Sequence, residues 1–389
     1  MTGIASPVAG GQGAGWRERW RDWRNRLLAS RGFQERMAAF PLTRPVARRR
    51  ARRLFDLCAG FVYSQVLLAC VRLRLPDLLA EGPCTPAEAA GRLGLPEAGA
   101  ARLLEAAASL GLAEGRPGGR FALGPRGAEL LGNPGVAAMV AHHPLLYADL
   151  EDPVALLRGG AGTTRLGGYW PYAGNPRARG LEDGDVAPYS ELMAASQPLI
   201  AAQVLAAYGM GGHRRLLDVA GGEGAFLAAV AARWPHLELS LFELPAVVGR
   251  ARRRLASRQI PVEVVAGDFR AEALPAGADL VTLVRVLHDH DDATVLALLE
   301  RVRRALAADG SLLVAEPLAD TPGAEAVGQA YFGFYLLAMG QGRPRGLPEL
   351  TALLRQAGFQ RPRLLASPMP MLTRVLHVRP ARRTTVTGT

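Results

Sequence analysis

Nine residues constrain this chain more than any others: Leu216-Leu217-Asp218-Val219-Ala220-Gly221-Gly222-Glu223-Gly224. They read as a short apolar strand running into a glycine turn and then a helix. Nineteen residues after Gly224 stands Glu243, at the carboxyl end of a second apolar strand, Leu237 to Phe242. Glycine in such a turn lets the backbone approach a ligand closely, and an acid at the end of the second strand can accept both hydroxyls of a ribose. The arrangement is an adenosine-binding half-site, and it makes the second half of the chain read as a cofactor-dependent enzyme.

From Leu216 onward, strand patterns at 216–220, 237–243, 262–266, 279–284, 311–316, 362–366 and 372–378 are mostly separated by helical ones, as in a doubly wound α/β sheet. The last two lie close enough for a hairpin. The third strand ends in Gly267-Asp268-Phe269, an acid that can accept from an adenine amino group beside a ring that can stack on the base. The fourth ends in Val284-Arg285-Val286-Leu287-His288-Asp289-His290-Asp291-Asp292, where an open sheet of this kind places its reactive groups. A glycine turn alone is weak evidence, but four polar features at successive strand ends are hard to ascribe to packing. The bland reading of His288 is a strand-terminal histidine bonded to nearby backbone, and His290 with Asp292 reads as a helix-capping cluster.

The first half has a different texture. Residues 1–15 are Gly/Ala/Ser-rich and expected to be disordered. Residues 16–53 hold thirteen arginines against Glu18, Asp22 and Glu35, a net of +10 out of the chain's +11. Trp16, Trp20, Trp23 and Leu27 fall on one face of a helix among these arginines. An indole face bordered by guanidinium groups suits the anionic interface of a membrane; the alternatives are a solvated basic arm whose tryptophans pack on their own protein, and contact with nucleic acid. An arginine-led helical stretch runs from Val46 to about Ala80. Thr85-Pro86-Ala87-Glu88 has the form of a helix start, and helices to Leu93 and from Glu97 to Leu110 precede a hairpin pattern over 112–123. Helix, turn, helix, hairpin is the order of a winged helix. Its second helix offers Arg102 against Glu97 and Glu105, which favours packing against protein over nucleic acid. Residues 159–190 look loop-like, a helical stretch from Ser190 to Tyr208 leads into the glycine strand, and a domain boundary is expected near 185.

Three cysteines without a Cys-x-x-Cys pair point to a reducing compartment and no metal site, and the neighbouring His142 and His143 are expected on opposite sides of their element. No apolar run reaches the roughly 18 residues of a membrane span, and the N-terminus lacks a signal-peptide core, so a cytoplasmic protein is expected. All 46 basic residues are arginine, which with the abundance of Ala, Gly and Pro suits a GC-rich genome.

At these motifs the sequence resembles the S-adenosylmethionine-dependent O-methyltransferases of the caffeate, flavonoid and acetylserotonin type. Asp218 to Gly224 matches their cofactor loop, with Ala220 in place of its first glycine. The resemblance implies a class I methyltransferase domain, a Rossmann-like doubly wound sheet, preceded by a mainly helical winged-helix dimerisation domain. It assigns S-adenosylmethionine contacts to Asp218, Gly221, Gly222, Gly224, Glu243, Gly267, Asp268, Phe269 and Arg285. It carries the general base onto His288, in Leu287-His288-Asp289, and a flanking acid onto Glu316. The family's second flanking acid lies in a Gly-x-Glu-Arg-Thr segment. Here that segment is Gly340-Gln341-Gly342-Arg343-Pro344, without the acid, so Glu316 acts alone or with Asp289. The implied layout is an arm over 1–45, the dimerisation domain over 46–185, the methyltransferase domain over 186–380 and a tail over 381–389.

Residues 40–51 and 54–65, with Gly340 to Arg345, are similar to the hydroxyneurosporene/demethylspheroidene subgroup from purple phototrophic bacteria. That implies a homodimer acting on the tertiary 1-hydroxyl of an acyclic carotenoid, attached peripherally to the cytoplasmic face of the photosynthetic membrane through residues 16–53. A long apolar pocket is expected, from Tyr169 to Tyr172, Met193 and Tyr331 to Met339. The rival readings are a methyltransferase on another hydrophobic acceptor, such as an aromatic polyketide or a bacteriochlorophyll precursor, and a winged-helix ligand-sensing regulator.

Overall fold

The computed structural model of the chain describes residues 15–159, 164–170 and 180–381. Its contacts divide into two units, Met1–Ala69 and Cys70–Thr389. Residues 1–14, Tyr172 and the tail from 382 lie outside the described residues.

The first unit is helical: Trp16–Ala29, Arg31–Ala39 and most of Arg44–Arg72. Neither of the first two helices buries a residue. Trp16, Trp20 and Trp23 are 70%, 52% and 54% exposed. Arg17 lies over the Trp16 ring and Arg24 over Trp20, at 5.5 and 5.4 Å. Helix Arg44–Arg72 is long and apolar enough to cross a membrane by length and composition. The expectation of no such segment rested on unbroken apolar runs; Asp56, Ser64 and Gln65 interrupt the run without making the stretch polar on average.

The second unit opens with helices Leu75–Ala80, Pro86–Leu93 and Glu97–Ser109. Thr85 caps Pro86–Leu93 as its sequence demands: its hydroxyl accepts from the Glu88 amide, and the Glu88 carboxylate accepts from the Thr85 amide at 2.7 Å. Strands β1 (Ala113–Arg116) and β2 (Arg120–Leu123) form the hairpin. Among its described residues, the stretch 159–190 is less loop-like than its composition suggests. Asp149 accepts from the amides of Arg165 and Leu166 and anchors helix Arg165–Tyr169, and a long helix, Asp183–Ala207, starts ahead of the expected boundary. That helix begins seven residues before the expected start at Ser190 and runs through both Pro188 and Pro198.

The remaining strands are β3 (Arg215–Val219), β4 (Glu238–Glu243), β5 (Glu263–Ala266), β6 (Ala278–Val284), β7 (Leu306–Glu316), β8 (Phe359–Leu365) and β9 (Arg374–Pro380). They form one seven-stranded sheet in the order β5-β4-β3-β6-β7-β9-β8. The first five in that order are mutually parallel, and β9 runs antiparallel to both β7 and β8. Side chains alternate between two buried layers: Leu217 and Val219 pack with helices Asp292–Ala305 and Leu347–Gln356, while Leu216 packs with Asp183–Ala207 and Ala225–Arg233. Chain order reverses between β3 and β6, and a parallel sheet opens a crevice at the carboxyl ends of the strands on either side of such a reversal.

Candidate active site

The glycine turn after β3 is built around a buried acid. Asp218 is fully buried; one oxygen accepts from the Thr282 hydroxyl at 2.6 Å and the other has no partner among the described residues. A Cβ on Gly221 would meet that free oxygen at 2.1 Å, so only glycine fits above it. Ala220, Gly222 and Gly224 have φ of 55°, 60° and 74°. Gly224 begins helix Ala225–Arg233 and faces Leu255, which a Cβ would meet at 2.9 Å. Asp218 and Gly224 therefore shape the turn from behind. Ala220, Gly221, Gly222 and Glu223 line the cleft.

Glu243, ending β4, lines the same cleft. Its carboxyl group accepts from the Gly222 amide at 2.8 Å and its neighbour Leu244's amide at 2.7 Å. Burial pushes its pKa up to about 7, against the pull of those two amides. Gly267, Asp268, Phe269 and Arg285 line the cleft too. Arg270 grips the Asp268 carboxylate at 2.9 to 3.1 Å. Arg285, at φ 57°, is pinned to helix Asp183–Ala207 through Ser196, Met193 and Gln197, and burial holds its pKa below the ordinary value. Trp170, Tyr189 and Gln197 also line the cleft. Gln197 carries no sequence signal; it is one polar position in a helix without clear amphipathic patterning.

Behind the cleft, Leu287–Asp289 is a single 3₁₀ turn carrying His288. Glu316, at the end of β7 and 2% exposed, accepts from the amides of Val286 and Leu287 at 2.8 and 2.6 Å with one oxygen. Its other oxygen accepts from His288 Nδ1 at 2.6 Å. The imidazole proton therefore sits on Nδ1, leaving a lone pair on Nε2. The Asp289 carboxyl lies 3.1 Å from Nε2 but makes no aligned hydrogen bond there. Burial pulls the His288 pKa down, but Asp289 and Glu316 outweigh it and the net shift is upward. Burial raises Asp289 to about 7. Glu316 thus holds the ring at Nδ1, and Asp289 stands beside Nε2, while the altered 340–344 segment offers no carboxylate.

Two expectations about neighbouring residues need correction. The cap of helix Asp292–Ala305 is Asp291, which accepts from the Thr294 amide at 2.7 Å. Asp292 instead pairs with Arg343 and Arg345, and His290 packs edge-on against Phe269, with burial lowering its pKa to about 4. His142 and His143 are not turned apart: His142 Nε2 bonds Tyr335 at 2.8 Å and His143 Nε2 bonds Tyr331 at 3.0 Å. Successive helical residues are only about 100° apart, so both reach the same neighbouring segment. Tyr335 and Trp170 sit in an apolar cluster with Tyr189 and Met339, and Met193 packs against it.

A sheet with its crevice at the β3 reversal, a glycine turn, and an imidazole held by carboxylates can be compared with known proteins. Residues 148–360, more than half the chain, match the model of the O-methyltransferase domain, and residues 55–133 match the O-methyltransferase dimerisation domain. The chain belongs to the O-methyltransferase family. This O-methyltransferase is 44% identical over 360 residues to the demethylspheroidene O-methyltransferase of Cereibacter sphaeroides, covering 92% of this chain and 94% of that protein. The enzyme of the same name from Rhodobacter capsulatus is 42% identical over 356 residues, with 90% and 88% covered. Among solved structures, human N-acetylserotonin methyltransferase in complex with S-adenosylmethionine aligns with a TM-score of 0.70 at 26% identity, covering 85% of this chain and 98% of that one. S-adenosylmethionine is the family's methyl donor, and the dimerisation domain supports a homodimer.

Proposed function

We propose that this O-methyltransferase methylates the tertiary 1-hydroxyl of an acyclic carotenoid. The observation that carries the reading is the pair of relatives at 44% and 42% identity across nine-tenths of the chain, both demethylspheroidene O-methyltransferases. When bound, S-adenosylmethionine supplies an electrophilic methyl group. The cleft residues fit such a ligand: Gly222 and Ala220 bring backbone to the surface, Glu243 can take ribose hydroxyls, and Asp268 with Phe269 suits an adenine. Gly221 and Gly267 line the cleft beside them, Asp218 and Gly224 hold the turn's shape, and Arg285 orders the wall toward Met193 and Gln197.

His288 Nε2 takes the acceptor's proton. An alkyl alcohol is far too weak an acid for an imidazole to ionise beforehand, so proton removal accompanies or follows C–O bond formation. Glu316 holds the proton on Nδ1 and, with Asp289, stabilises the imidazolium as it forms. Alignment of the reacting atoms supplies much of the remaining acceleration.

A C40 polyene stays in a bilayer, so the enzyme has to meet it there. The exposed Trp16, Trp20 and Trp23 face, set among arginines each worth about 1 kcal/mol near an anionic surface, supports peripheral attachment through residues 16–53. Such attachment would put a cytoplasmic enzyme on the membrane's inner face. The division into arm (1–45), dimerisation domain (46–185), methyltransferase domain (186–380) and tail (381–389) belongs to the same reading.

The test is incubation with methyl-labelled S-adenosylmethionine and membranes containing 1-hydroxylated acyclic carotenoids, followed by chromatography. Label in a methoxy-carotenoid is expected. Cofactor binding without labelled carotenoid in several lipids would remove the acceptor and keep the reaction class. His288→Ala should lose most turnover and keep cofactor binding; unchanged turnover would remove His288 from the mechanism.

A further inference from the structure

The turn that carries His288 is poorly supported by its own backbone. Its internal hydrogen bonds, Asp289 N to Val286 O and His290 N to Leu287 O, are both 3.4 Å long. Its shape is therefore set from outside. Glu316 holds the amide side through Val286 and Leu287. On the carbonyl side, Leu287 O and His290 O are both held by one side chain, that of Arg345, which is 3% exposed. Arg345 Nη1 donates to Leu287 O at 2.7 Å, Nη2 donates to His290 O at 2.7 Å, and Nε donates to Asp292 at 2.8 Å. The two carbonyls flank His288 and Asp289, so the planar fork brackets the turn. The Arg345 carbonyl in turn accepts from the Ala319 amide at 2.9 Å, which ties the fork to the segment leaving β7, the strand that ends in Glu316. Next to it, the Arg343 amide donates to His288 O at 3.0 Å, and Gly342 packs so close that a Cβ would meet His288 O at 2.2 Å.

We propose that Arg345 is a positioning residue for the methyl-transfer reaction, fixing the backbone turn that aims His288 between Glu316 and Asp289. The segment that lacks the family's second acid thus still serves the histidine, through a guanidinium on the backbone instead of a carboxylate on the ring. A lysine cannot replace it: one ammonium has no planar fork to reach Leu287 O, His290 O and Asp292 together. This inference rests on His288 being the base.

The test uses the full-length enzyme with Arg345→Lys and Arg345→Met. Three readings are taken: cofactor affinity by calorimetry, the far-downfield NMR signal of the His288 Nδ1 proton, and turnover. The NMR signal is assigned by its loss in His288→Gln, and turnover is measured on a 1-hydroxylated acyclic carotenoid in phospholipid vesicles. A displacement of about 1 Å at a reacting group costs on the order of 100-fold. Both variants are therefore expected to lose roughly 30- to 100-fold in kcat and to shift or broaden the downfield signal. Cofactor affinity and acceptor KM should stay within about threefold. An unchanged signal with kcat within threefold overturns the proposal, as does a kcat that falls only in step with cofactor affinity. If Arg345→Met does not fold, Arg345→Lys decides by the same readings. A fully active His288→Gln enzyme would defeat the base assignment instead, while the downfield signal would still report on the clamp.

Discussion

Glu316→Gln is the most informative single perturbation of the site, because it changes charge and tautomer with almost no change of volume. The glutamine carbonyl can keep the Val286 and Leu287 amides now held at 2.8 and 2.6 Å. Its NH2 group must then face His288 Nδ1, donor against donor, at a separation that was 2.6 Å. The imidazole answers by moving its proton to Nε2, which removes the lone pair the acceptor hydroxyl needs. The electrostatic loss adds to this. A charged hydrogen bond is worth about 1.5–3 kcal/mol, and a unit charge pair about 4 Å apart at an effective dielectric of 20 is worth about 4 kcal/mol. Asp289, 3.1 Å from Nε2, remains to stabilise part of the imidazolium, so a barrier increase near 3 kcal/mol is expected, or about 100-fold in kcat.

The pH profile gives an independent reading. The base must be neutral to act, and its pKa stands above the ordinary histidine value because two carboxylates outweigh burial. Activity should therefore rise with pH on a limb above about 6.5. Removing the Glu316 charge should move that limb to lower pH. The same linkage bears on folding: a raised histidine pKa adds stability below the unfolded value, and that stability is lost as pH rises through the folded one. The assay is kcat and kcat/KM across pH 6–10 for native and Glu316→Gln enzyme, with cofactor affinity measured alongside. A kcat within fivefold of native, or an unmoved limb, would refute the argument.

Three further outcomes follow from other parts of the structure. With Glu243 raised to about 7 by burial, and its ionised form the better ribose acceptor, S-adenosylmethionine affinity should fall about tenfold from pH 8 to pH 6; Glu243→Gln should flatten that dependence in calorimetry. Gly342→Ala places a Cβ at φ 83° within 2.2 Å of His288 O, so it should cost about 2–4 kcal/mol in denaturant unfolding and more than tenfold in turnover. Gly333→Ala, in open space on a helix, should instead stabilise by up to about 1 kcal/mol in unfolding. Replacing Trp16, Trp20 and Trp23 by alanine should lower partition onto anionic vesicles at least tenfold while leaving cofactor affinity alone, and equal partition would end the membrane reading.

How much of this was legible in the sequence depends on the range of the force responsible. The strands and the Thr85 cap are set by residues within a few positions of one another, and apolar periodicity and capping chemistry record them directly. The cofactor turn was legible for a similar reason: the glycines sit where the backbone must turn, and Gly221 cannot be otherwise above Asp218. Helix Asp183–Ala207 was legible from Ser190 onward but not in its first turns, where Gly184 and Pro188 argue locally against a helix. The site divides the same way. His288 could be named because it closely follows a strand end, and Glu316 because the family resemblance carries a flanking acid onto it. The pairing of Asp292 could not, because its partners Arg343 and Arg345 lie 51 and 53 residues away, and the neighbouring Asp291 supplies the cap. Arg345 shows the limit most plainly. In sequence it is one arginine among 46, in a segment notable for the acid it lacks. Its meaning comes from two carbonyls and a carboxylate that only the closed fold brings within 2.8 Å. A residue that acts on another residue's backbone leaves no chemical motif, and it becomes visible only when the hydrogen bonds of that backbone are accounted for one by one.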